Sequence, residues 1–257
     1  MEASTAAVAL PRSKPETFST KRQYDNYFFS AMALLILATV FVGFARTYFL
    51  AGVVRAPLPS LIIHIHGAVF SSWILLLIAQ ISLVSAGRVD IHRRLGLAGF
   101  GLACLMLILG VLAASNSLAR GFSPPGSPFD AQTFYAIPLT DMAIFGTLVF
   151  FAYRARRDPA AHKRLILIAT FALLDAPTGR PPFTVITARP FFDSIFVLAF
   201  LLLLVAYDLW SIRKVHRATI WAGAFVVVME QLRVPLGNTA VWHTFASWAQ
   251  TLARTSH

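Results

Sequence analysis

A chain of 257 residues that is 57% hydrophobic and only 13% charged falls well short of the ~25% charge usual for a soluble domain, which excludes an ordinary soluble globular fold. Its net charge of +11 does not mark a nucleic-acid binder, because the basic residues sit in short loops between apolar runs, where they set membrane topology. The lone cysteine, Cys104, rules out an intrachain disulfide and a multi-cysteine metal or Fe–S centre.

Residues 1–26 are polar, hold Pro11 and Pro15, and read as a mobile cytoplasmic tail. Apolar runs long enough to cross the hydrocarbon layer, about 18 residues or more, then follow one another. The first extends from about Tyr27 to Leu50, the second from Leu61 to Val84 and the third from Leu95 to Ala114. The segment Gly121-Phe122-Ser123-Pro124-Pro125-Gly126-Ser127-Pro128 breaks regular structure. A fourth span covers Thr133 to Tyr153, and a fifth begins near Ala160 and stays apolar to Leu174. A sixth covers Phe191 to Trp210, and a seventh starts near Ala218 and becomes ambiguous after Val228. Residues 27–236 thus read as a seven-helix bundle, or six if the seventh fails to cross. Residues 237–257, with Trp242, Phe245 and Trp248 at steps of three, suit an amphipathic helix on the outer membrane surface.

Fifteen of the 22 Lys and Arg residues fall on one side of these spans, in the tail and in the loops after spans two, four and six. The excess predicts the N-terminus inside and, with seven spans, the C-terminus outside. Three of the basic loops share a histidine: His92-Arg93-Arg94-Leu95, His162-Lys163-Arg164-Leu165 and His216-Arg217-Ala218. The spacing is irregular but fits three helical hairpins of common design.

Ionisable residues inside a span are costly and usually meet a cavity or one another. Arg46, His64, His66, Asp141, Asp175, Glu230 and Arg233 all fall in the outer half by this topology, with Asp193 and Arg180 at its edge. His66, Trp73 and Gln80, seven apart, form one helical stripe directed into the bundle, whereas His64 is about 200° round the helix from His66. Asp141 follows Pro138, which frees a backbone carbonyl. Glu230 and Arg233 are three apart and can pair on one face. The run from Asp175 to Pro182 contains Pro177, Gly179, Arg180 and Pro181 and cuts span five short, a pattern tolerated at membrane depth only where backbone lines a cavity or is covered by protein.

These residues support three functions. The first is a membrane protein with an outward-facing polar cavity binding a small molecule or ion, of transporter type, with Arg46, His66, Asp141, Asp175, Arg180, Glu230 and Arg233 as the ligand-binding set. The second is a haem b electron-transfer protein, since membrane cytochromes need histidine pairs at equal depth and the chain has an inner set (His92, His162, His216) and an outer set (His66, His243). The third is an enzyme on a lipid or isoprenoid. The HExxH, GxSxG and P-loop patterns do not occur in the sequence. Gly96, Gly99 and Gly101 suit close helix packing rather than a phosphate loop.

The stretches His66-Gly67-Ala68-Val69-Phe70-Ser71-Ser72-Trp73, Gly87-Arg88-Val89-Asp90-Ile91-His92-Arg93-Arg94-Leu95-Gly96 and His162-Lys163-Arg164-Leu165 resemble a group of uncharacterised bacterial multi-pass membrane proteins. The resemblance implies a helical membrane fold in the bacterial inner membrane and no particular reaction. It draws attention to His66, His92, Arg93 and His162.

Overall fold

The computed structural model describes residues 16–54, 60–124, 127–180, 182–187 and 194–255, all helix or connecting turn with no strand among them. Helix α1 covers Glu16–Phe44 and runs into a π-helical turn, Ala45–Phe49, then α2, Ala51–Val54. Helix α3 is Leu61–Ser85, α4 Val89–Ala119, α5 Ala131–Arg154 and α6 Pro159–Phe171. Two short helices follow, α7 Asp175–Thr178 and α8 Thr184–Thr187, then α9 Ile195–Ile212, α10 Arg217–Gly237 and α11 Ala240–Thr255.

The helix ends follow local chemistry. Asp130 caps α5 by accepting from the Thr133 amide at 2.7 Å. Asp158 caps α6 by accepting from Ala160 and Ala161, with Pro159 at the first helical position, where its missing N–H costs nothing. His216 caps α10 through Nδ1, which accepts from the Ala218 amide at 3.1 Å. Gly121, just past α4, has a φ of 64°, a left-handed turn that glycine adopts without strain.

Among the described residues, six helical segments are long and apolar enough to cross a membrane: Gln23–Phe49, Leu61–Ser85, Val89–Ala119, Ala131–Arg154, Ile195–Ile212 and Arg217–Gly237. This is an all-α architecture of membrane-spanning type. The weak span differs from the sequence reading. Helix α10 continues through Val228 and Pro235 to Gly237. It is α6 that falls short, at 13 residues, because the chain turns at 172–174 before α7. The first helix also begins at Glu16, inside the stretch read as a mobile tail; residues 1–15 lie outside the described residues.

Helix α3 packs on α4, α4 on α5, α5 on α6, and α10 lies against both α5 and α6. Helix α6 therefore sits at the centre, and Leu167, Ile168 and Phe171 are fully buried with Ile144 and Phe145 of α5, Leu204 of α9 and Val226 of α10. A polar bond pins α3 to it: Trp73 Nε1 donates to Thr170 Oγ1 at 3.1 Å. Gly43 of α1 lets α7 approach closely, since a Cβ there would lie 2.4 Å from the Pro177 carbonyl oxygen. Gly99 makes similar room for Leu76, whereas Gly101 faces open space. Helix α11 lies over the α4–α5 connection. Its Trp242 donates to the Gln132 carbonyl at the start of α5, while its Gln250 donates to the Leu118 carbonyl and its Arg254 to the Ala119 carbonyl, satisfying acceptors in the last turn of α4.

Candidate functional site

Four of the seven expected site residues come together at the end of the bundle where α1 finishes. Asp141 lies ten residues into α5, about 15 Å at 1.5 Å per residue. Glu230 and Arg233 come from α10, and Asp175 starts α7 after the break in span five. Asp141, Glu230 and Arg233 are 7%, 4% and 3% exposed, so the centre is closed over by packing rather than open as the sequence reading expected. Arg233 bridges the elements. One terminal nitrogen donates to Asp141 Oδ1 at 3.2 Å and the other pairs with Asp175. The pairing expected between Glu230 and Arg233 is displaced by these two. Glu230 lies in the field of Asp175, Arg233 and Asp141, with the Ser194 hydroxyl beside its carboxylate, and none of the ion pairs among the described residues includes it.

Three carboxylates thus face one guanidinium. With every group ionised the centre would carry an excess of two negative charges in a desolvated interior, where uncompensated charge is costly. Such an arrangement can take up a proton on one of its carboxylates. The broken fifth span makes it possible: a continuous helix would carry Asp175 past Arg233, whereas the turns at 172–174 stop the chain at that depth.

The remaining expected residues stand apart. Arg46 is exposed on the π-helical turn and does not join the centre. Asp193 lies outside the described residues. His66 stacks on Phe70 with centroids 4.0 Å apart, and its Nδ1 is buried without a hydrogen-bond partner. Arg180 is half-buried, lies over the Phe44 ring at 4.5 Å, and donates to the Ala176 carbonyl of its own turn. His64 faces Tyr48 on the other side of α3, with Nδ1 3.4 Å from the Tyr48 hydroxyl.

No family model, curated protein or solved structure matches this chain. The site therefore has to be read from its own geometry.

The histidines proposed as haem ligands separate into engaged and unengaged groups. His216 is committed as the α10 cap. Both ring nitrogens of His243 are occupied, by Gln132 Oε1 at 2.8 Å and Thr133 Oγ1 at 3.2 Å. His92 and His162 do meet, with centroids 6.3 Å apart and rings nearly perpendicular. His162 Nδ1 bonds the Ala152 carbonyl, and His92 Nδ1 is buried and unbonded.

A second polar cluster, at the end where α1 begins, was missed by sequence reasoning. Asp208 of α9 is fully buried and accepts from the Arg164 guanidinium, from Thr219 Oγ1 at 2.7 Å and from the His216 amide at 3.0 Å. Beside it Asp25 pairs with Lys163 at 2.7 Å and accepts from the Tyr207 hydroxyl. Each of the two carboxylates is held by more than one donor, so the cluster reads as a structural clamp. An open groove of about 400 Å³ at this end is lined by Tyr24, Tyr27, Phe28, Leu203, Tyr207 and Trp210, remote from the carboxylate centre.

Proposed function

We propose that this chain is a multi-pass protein of a bacterial inner membrane that binds a proton or small cation at the Asp141–Asp175–Glu230–Arg233 centre and uses it in moving a small molecule or ion. The observation that carries this reading is Glu230, buried beside two carboxylates that already share the Arg233 guanidinium. In transporters, intramembrane carboxylates and broken helices mark coupling-ion sites. Infrared titration of the purified protein tests the idea. A protonated-carboxyl band should persist at neutral pH and weaken in Glu230→Gln. If all carboxylates are ionised at pH 7 and calorimetry detects no sodium or potassium binding, the proposal fails.

The reading includes seven crossings, with the N-terminus inside and the C-terminus outside. Its support is the path of α6 and α7 along α1. Lys163 meets Asp25 and Pro177 meets Gly43, eighteen residues further along α1, or about 27 Å of helix, against a hydrocarbon core of about 30 Å. The basic loops supply the orientation. A C-terminal alkaline phosphatase fusion should be active; an inactive one, alongside an active GFP fusion, would indicate an inward C-terminus. The haem alternative retains one favourable observation, the His92–His162 pair, and a reduced-minus-oxidised spectrum decides it.

A further inference from the structure

Two of the histidine-bearing basic motifs meet at the end of the bundle where α1 begins, and the carboxylate centre makes no use of them. His92 is the fourth residue of α4 and His162 the fourth residue of α6. Their rings are half-buried, 6.3 Å apart between centroids and nearly perpendicular. The His162 ring is held from behind, since its Nδ1 donates to the Ala152 carbonyl in the last turn of α5 at 2.9 Å. That bond leaves Nε2 with the lone pair, which is how a backbone carbonyl orients a metal-ligating histidine.

Gln80 of α3 reaches the same place. Its Nε2 donates to the His92 carbonyl at 3.2 Å, which settles which end of the amide is oxygen. Among the described residues its buried Oε1 accepts no hydrogen bond, an unfavourable state for an amide oxygen that a bound cation would relieve. Two imidazoles sharing one ion at about 2.0–2.1 Å from each nitrogen have centroids roughly 5–6.5 Å apart, and the observed spacing falls in that range. The basic side chains that follow His162 are already paired, Lys163 with Asp25 and Arg164 with Asp208. Those that follow His92, Arg93 and Arg94, are exposed, where salt screens them. Imidazole nitrogens favour zinc and its neighbours over magnesium or calcium.

We propose that His92, His162 and the Gln80 side-chain oxygen form a metal site for a divalent transition-metal ion of the zinc class, with water completing the coordination. The ion would join α3, α4 and the α5–α6 turn at the end opposite the carboxylate centre, and the site stands whether or not that centre takes a proton. Its donors are all neutral, so the ion keeps its charge and binds reversibly, more weakly than in a thiolate site.

The test uses the full chain in nanodiscs, carrying no polyhistidine tag, and calorimetric titration with Zn2+, with Mg2+ as the second probe. Zn2+ should bind one ion per chain, at least tenfold more weakly in His92→Gln and in His162→Gln and several-fold more weakly in Gln80→Leu, while Mg2+ should not compete. Thermal melts confirm that each variant folds. Electron paramagnetic resonance of the wild type loaded with one equivalent of Cu2+ needs no variant and should show coupling to imidazole nitrogens. Wild-type protein that ignores Zn2+, folded histidine variants that bind it as well as wild type, competition by Mg2+, or a copper spectrum without nitrogen coupling each overturns the site. A reduced haem band that is lost in the same histidine variants overturns the assignment to a free ion.

Discussion

Replacing Asp208 with Ala removes the acceptor at the middle of the buried clamp between α6, α9 and α10. The Asp208 side chain is 0% exposed and that of Arg164 is 3% exposed, so the substitution strands a guanidinium in a packed interior. Breaking a buried pair from one side costs about 3–5 kcal/mol, because the remaining charge is uncompensated. For a chain of this size each kcal/mol moves the melting temperature by about 2–4 °C, so the expected fall is roughly 6–20 °C. The Thr219 hydroxyl and the His216 amide lose an acceptor in the same step, which favours the upper part of that range. Replacing both partners, Arg164→Met with Asp208→Leu, removes the charges together and should recover most of the loss. Thermal melts followed by size-exclusion fluorescence in detergent read all three proteins. A shift under about 2 °C for Asp208→Ala, or a double variant no better than the single, would refute the account.

Further outcomes are expected. Glu230→Gln keeps the shape of the side chain and puts a neutral amide where the buried carboxyl holds its proton, so the melting temperature should hold or rise; a large fall would show that an ionised carboxylate is needed for folding. Gly43→Ala drives a Cβ into the Pro177 backbone and should cost about 1–3 kcal/mol, whereas Gly101→Ala, with open space around it, should be neutral by the same melt. The Thr133 amide bond, the largest influence on Asp130, holds its carboxyl below the usual value. Its contribution is complete above the unfolded pKa of about 3.9 and is lost as pH falls through the lower folded value. Asp130→Ala should cost about 1 kcal/mol at pH 7, with a flatter acid limb in a melt-against-pH series.

The hydropathy pattern located the long helices, because a run that must face lipid leaves little choice of composition, but not all their ends: α1 starts at Glu16 rather than near Tyr27, and α4 extends beyond Leu95–Ala114 at both ends. It misjudged spans five and seven for one reason. Glu230 and Arg233 interrupt the apolar run of α10, yet both are buried, and Arg233 is paired with carboxylates of α5 and α7, a tertiary fact. Helix α6 looks continuous to Leu174 in sequence, but its turn at 172–174 is fixed by contact with α1. The gathering of Asp141, Asp175, Glu230 and Arg233 was legible, since intramembrane charges seek one another. The choice of partner for Arg233 was not, because two long-range carboxylates outcompete the neighbour on its own helix. Asp208 was available as a signal, an acid inside the apolar run Phe196 to Trp210. Arg46 failed in the opposite sense: its position suggested the centre, and the π-helical turn carries it outward.

The short helix α6 has a consequence for how the protein is made. Both ion-pair systems meet on one stretch of chain, Arg164 at its start and Asp175 just past its end, and between them lie only ten residues of uncharged sequence. A segment so brief is a poor substrate for insertion by itself. On the seven-crossing reading it would enter as the second arm of a hairpin with α5 and be held there when α9 and α10 arrive with Asp208 and Arg233. Lesions at either ion pair should therefore appear first as chains with misplaced loops around residues 155–158 and 176–187, visible by cysteine accessibility, before any loss of ligand binding is measured.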